Sequence, residues 1–145
     1  MITSFVREIE NFSNPRDEIE LRLLDEALTS VSPSDCKETE FDALLGIFER
    51  FPEEDGFGIF WGIVHLLEAC KGYEASLINS VRRMPVEFNI LMINRLLNAG
   101  VQEIDGVSLM ATLKSVVSNP SAIDSSKNTA LRFIDYQIGK GQRNA

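Results

Sequence analysis

An all-α fold is what this chain of 145 residues predicts, on three observations. Apolar residues recur at i, i+3, i+4 and i+7 along nearly its whole length. Ser, Asn, Pro and Gly break that rhythm at short intervals, and only residues 101–107 admit a strand. About eight helices joined by short loops follow, as an irregular α-α bundle or a short helical array forming a single domain. Its parts are acidic helices over 1–55, central core helices over 56–100 and C-terminal helices over 101–145.

A first helix is expected near residues 4–12. Asn14-Pro15 should start the second, the amide as cap and the proline in the first turn, where no N–H is needed. Ile19, Leu23, Leu24, Ala27, Leu28 and Val31 form its apolar face. Ser32-Pro33-Ser34 breaks the chain, and Ser34 can cap a third helix that turns Phe41, Leu44, Leu45 and Phe48 inward. Pro52 to Gly56 ends that helix and leads to residues 57–70, apolar almost all round and therefore expected to be buried on several sides. Gly58 and Gly62 are spaced to allow close helix approach. Gly72 closes this segment, and Tyr73, Leu77, Val81 and Met84 face inward from the next helix. Pro85 restarts the pattern through Phe88, Leu91, Met92 and Leu96 until Gly100 stops it. Asp105-Gly106 marks a turn. Ser108 caps a helix carrying Leu109, Met110, Leu113, Val116 and Val117, which Asn119-Pro120 ends. A last helix starts at Ser121 or Ala122, where Ser121 and Asp124 have capping-box spacing, and runs to about Ile138, with residues 139–145 frayed.

Charge is distributed unevenly. The first 55 residues hold 15 of the 22 acidic side chains and five of the 14 Lys and Arg. Asp35, Glu38, Asp42 and Glu49 fall within about 60° of arc on the third helix, beside its apolar face, and Glu53, Glu54 and Asp55 continue the charge beyond it. Such a field attracts a basic protein and disfavours nucleic acid as a ligand. Solvated helix faces carry similar charge. The longest apolar stretch is far short of the ~20 residues of a membrane span, and no secretory signal is visible, so a cytoplasmic protein is expected. In that reducing compartment Cys36 and Cys70 should be free thiols.

Chemistry finds little equipment here. One His and two Cys cannot complete a zinc tetrahedron, and His65 reads as a core or edge histidine. Cys70 is five residues from His65 on one helix, about 140° around it, too far for a local dyad. Gly56-Phe57-Gly58 lacks the strand, third glycine and lysine of a phosphate loop. The expectation is a protein with no cofactor, no metal and no catalytic activity.

The stretch Phe60-Trp61-Gly62-Ile63-Val64-His65-Leu66-Leu67-Glu68-Ala69, with Gly72-Tyr73-Glu74, Ser80 to Pro85 and Leu91 to Gly100, resembles helical immunity proteins of bacterial contact-dependent growth inhibition and related polymorphic toxin systems. The resemblance implies a protein that binds and blocks the C-terminal toxin domain of a cognate effector, often a nuclease with a basic cleft. On that reading the binding surface comprises Asp35, Glu38, Asp42, Glu49, Glu53, Glu54, Asp55 and Phe57, with Phe51 or Phe57 as the aromatic anchor. The alternative surface is His65, Tyr73, Glu74, Arg82 and Arg83. An adaptor that docks a peptide or helix in an apolar groove beside the central helix is the competing function.

Overall fold

The computed structural model describes residues 3–143 and is all-α, with one two-stranded ribbon. The chain divides into two compact units, one up to Ser76 and one from Leu77.

The first unit contains α1 (Ser4–Asn11), α2 (Glu18–Ser30), α3 (Glu38–Arg50) and α4 (Phe60–Ala69). The fifth helix, α5 (Glu74–Arg83), begins here and carries the division. The start of α2 differs from expectation. Asn14 Oδ1 accepts the Arg16 N–H at 2.9 Å, which makes Pro15-Arg16 a turn, and Asp17 becomes the cap by accepting the Glu20 N–H at 3.0 Å. Helix α3 likewise begins after Ser34, because Pro33–Asp35 is a separate 3-10 turn and Cys36 and Lys37 are extended.

Helix α1 lies against α2 and α3, and both of these meet α4. The core between them holds Val6, Ile9, Leu44, Leu45, Ile47, Phe48, Phe60, Ile63 and Leu67, all essentially buried. Gly62 lets Leu28 approach α4, since a Cβ there would stand 3.3 Å from Leu28 Cδ1. Phe12 meets the Phe51 ring edge-on at 5.6 Å and the Phe60 ring at 6.2 Å. Above this cluster the Arg50 guanidinium donates to the carbonyls of Ile9, Glu10 and Phe12 at 3.1, 3.1 and 2.8 Å. The last carbonyls of a helix have no partner within it, so Arg50 ties the end of α1 to the end of α3.

The second unit contains α6 (Glu87–Asn98), α7 (Leu109–Ser118) and α8 (Asp124–Arg143), with α8 against both of the others. Residues 101–107 form a ribbon, β1 (Glu103–Ile104) antiparallel to β2 (Val107–Ser108), whose strands pair with each other across Asp105-Gly106. Both turn residues have positive φ, 49° and 79°, as a two-residue hairpin of right-handed twist requires. Ser108 then caps α7 by accepting the Ala111 N–H.

Neutral amides secure this unit. Asn89, wholly buried, accepts the Val86 N–H at 2.8 Å and donates to Ser80 Oγ and the Met84 carbonyl, both at 3.0 Å. It therefore joins α5, the turn at Pro85 and the first turn of α6. Asn119 donates to the Arg82 carbonyl at 2.9 Å, and Gln137 on α8 donates to Asn94 and Asn98 on α6. Helix α8 starts at Asp124, later than expected, and the Ser121 N–H binds Asn119 Oδ1. It also continues past Ile138 to Arg143, so residues 139–143 are helical and not frayed; residues 144–145 of that expectation lie outside the described residues.

Candidate functional site

Seventeen acidic and six basic residues lie up to Ser76, a net charge of −11, against five and eight from Leu77, a net +3. The acidic stripe on α3 is shorter than the sequence implies. Asp35 belongs to the 3-10 turn and is cut off from α3 by extended residues, so it does not share the helix face. Glu38, Asp42 and Glu49 remain on it, spread over ~17 Å at 1.5 Å per residue. Glu38 and Asp42 are exposed and Glu49 is half-buried. Glu40, off the stripe, is buried and accepts the Lys37 N–H at 3.2 Å, closing the helix start.

Beyond α3 the acids are partly engaged in structure. Glu54 meets Arg16 Nε at 2.9 Å, Asp55 Oδ1 accepts the Phe57 N–H at 3.0 Å, and Glu53 is exposed. These contacts build a turn with an unusual centre. Gly56, Phe57 and Gly58 all have positive φ, 58°, 53° and 93°, and the Phe57 side chain is 77% exposed. Gly56 has no substitute, because a Cβ there would stand 2.8 Å from the Phe60 ring. Three backbone hydrogen bonds lock the turn, from Gly58 and Phe60 to the Asp55 carbonyl and from Ile59 to that of Gly56.

A left-handed residue with a Cβ costs about 1–2 kcal/mol, and an exposed phenyl ring returns none of it through burial. Among the described residues of the first unit, Phe57 is the one non-glycine residue with a positive φ. It borders a groove of about 520 Å³ with Leu21 and Ile59, where Arg16, Glu18 and Arg22 supply both signs of charge. Phe51, the other candidate anchor, is half-buried with its ring edge-on to that of Phe12.

No family model, no curated protein and no solved structure matches this chain.

The residues of the alternative surface are divided between the two units. Tyr73 is 5% exposed and cannot present its ring to a partner. His65 is exposed on α4, with its ring 6.2 Å from that of Trp61, and Glu74 is half-buried at the start of α5. Arg82 and Arg83 are exposed at the other end of α5, in the second unit. Trp61 and His65 mark the open side of α4, a helix expected to be buried on several sides.

Helix α2 carries the largest departure. Ile19 and Leu23, placed in the core by periodicity, are 67% and 59% exposed, while Leu21, absent from the expected face, is buried. The buried arc of α2 is turned by about 60° from the expected one. The helix has a wider apolar arc than α1 and α4 cover. No residue type marks in advance which part stays bare.

Cys36 and Cys70 are free and buried, and the fold brings them within reach of each other, which no spacing could foretell. Burial, helped by the neighbouring Cys70, Glu40 and Asp35, pushes the Cys36 thiol up to about 12. Burial also raises Cys70, against a lowering hydrogen bond from Cys36, and its thiol donates to the Leu66 carbonyl at 3.0 Å. Thiols held protonated are poor nucleophiles. Among the described residues no three His, Cys, Asp or Glu gather to hold a metal ion, and no helix is long and apolar enough to cross a membrane.

Proposed function

We propose that this chain is an immunity protein of a bacterial contact-dependent growth inhibition system, whose first unit binds and neutralises the basic toxin domain of its cognate effector. The observation that carries the reading is Phe57: an aromatic ring held outward at a backbone cost, within a unit of net charge −11. Binding energy concentrates in a few buried aromatic anchors, while surrounding charge mainly speeds and steers the encounter. Glu38, Asp42 and Glu53 supply the steering, and a preorganised Phe57 loses little freedom on docking. An interface of ordinary size buries roughly 800 Å² per partner.

The test is titration calorimetry with the purified C-terminal domain of the large effector encoded directly upstream. A 1:1 complex is expected at low salt, at least tenfold weaker with Phe57→Ala. Charge reversal at Glu38 and Asp42 should lower the association rate and its salt dependence. Absence of binding at low salt rejects the reading.

A further inference from the structure

Helices α1 and α2 diverge to leave an open groove of about 580 Å³. Ile9, Phe12, Leu24 and Ala27, each nearly buried, line its base, and Leu23, 59% exposed, forms its lip and its main accessible apolar side chain. Ile19, one turn before Leu23 and 67% exposed, extends the apolar lip along α2. Glu8, Glu20 and Glu26 stand on the walls, and no Lys, Arg or His does. Glu20 already accepts the N–H and hydroxyl of Ser13, whereas Glu8 and Glu26 make no ion pair among the described residues.

We infer that this groove is a second docking site, and that its occupant is a basic amphipathic helix of a partner protein. Three features select that occupant. The α2 wall runs from Glu20 to Ser30, ~15 Å at helical rise, which accommodates anchors at i, i+3 or i+4 and i+7 of a guest helix, ~10 Å from first to last. The floor is apolar, so it takes side chains and not solvated charge. The walls carry one sign only, so the polar flanks of the guest must be Lys or Arg; acidic flanks would be repelled. The site differs from the Phe57 turn, whose groove has charges of both signs, and it does not require the partner to be a toxin.

The probe is an 18-residue peptide with Leu at i, i+3, i+4, i+7 and Lys elsewhere, titrated into the ¹⁵N-labelled protein. Amide shift changes centred on α1 and α2 are expected. Affinity should fall at least tenfold for Leu23→Ser and for the pair Glu8→Lys, Glu26→Lys. All three positions are exposed, and the free spectrum of each variant reports that it is folded. A peptide with Glu in place of Lys should not bind, and one interrupted by proline should bind at least tenfold less. Shift changes centred on α3 or the Phe57 turn, equal affinity for either variant, or equal binding of the acidic or proline peptide would overturn the inference. So would no binding at all, including a groove covered by a second copy, seen as a dimer by sedimentation. The Phe57→Ala protein should bind this peptide unchanged, so failure of the toxin reading and failure of this one leave different results.

Discussion

The two units of this chain solve the same packing problem with different chemistry. In the second, neutral amides close the joints: Asn89 spans the turn between α5 and α6, Gln137 bridges α8 to α6, and Asn119 takes the Arg82 carbonyl. In the first, a cation closes the main joint, as Arg50 collects three carbonyls from the end of α1. Around it the unit keeps bare Ile19 and Leu23, a ring at Phe57 and most of the protein's negative charge. The second unit spends its polar groups on internal order, and the first leaves apolar and charged groups facing outward. The proposed recognition surface draws on the second of these patterns.

Breaking the amide joint should have the largest effect. Asn89→Leu leaves the Val86 N–H and the Met84 carbonyl without their side-chain partner in a buried place and should lower unfolding free energy by about 3 kcal/mol, measured in urea. Arg50→Ala should cost about 2 kcal/mol, less because the carbonyls it abandons are only partly buried and water can reach them. Hydrogen exchange should then rise in α1 first. Equal losses with uniform exchange would erase the distinction between the joints. Phe57→Asn should act the other way, raising stability by about 1 kcal/mol because Asn tolerates left-handed backbone, while weakening toxin binding. A variant that gained stability and kept affinity would remove Phe57 from the interface.

A smaller effect is confined to alkaline solution. The Cys36 thiol has an ordinary value of 9.0 and is raised to about 12 by burial. Its contribution is therefore complete below pH 9 and is lost as pH rises towards 12, because the unfolded chain gives up the proton first. Thermal midpoints of the wild type should fall more steeply over that range than those of Cys36→Ala. Last, Ser126 on α8 is buried with a hydroxyl that finds no hydrogen-bond partner among the described residues, so Ser126→Ala should be neutral or stabilising by up to about 1 kcal/mol.

Sequence periodicity foretold the helices well, because a helix that packs on a core carries its apolar residues at helical spacing whichever neighbour covers them. It located α4, α6 and α7 closely, and Ser108 as a cap was readable from its own chemistry. Starts were less legible. Asn14-Pro15 and Ser34 are good helix openers, but Asp17 and the Lys37–Glu40 pair compete for the same role a few residues on and prevail. The candidate surface was half visible. Glu38, Asp42 and Phe57 were named from charge and position, yet Asp35 left the stripe because a 3-10 turn intervenes. The bare lip of Ile19 and Leu23 was hidden, since exposure depends on how much of α2 its neighbours cover. The Cys36 and Cys70 encounter likewise depends on a tertiary meeting that leaves no mark in spacing.

The turn at Gly56-Phe57-Gly58 has a consequence for proteases. Chymotrypsin prefers to cut after an exposed aromatic residue, and Phe57 is the most exposed large hydrophobic side chain among the described residues. A protease cleft, however, needs its substrate extended, and three successive left-handed residues bound back to Asp55 and Gly56 present the opposite shape. Cleavage at this bond therefore waits for the turn to open. When the turn closes faster than the enzyme cuts, the nicking rate measures its opening free energy. A docked partner would lengthen that clock.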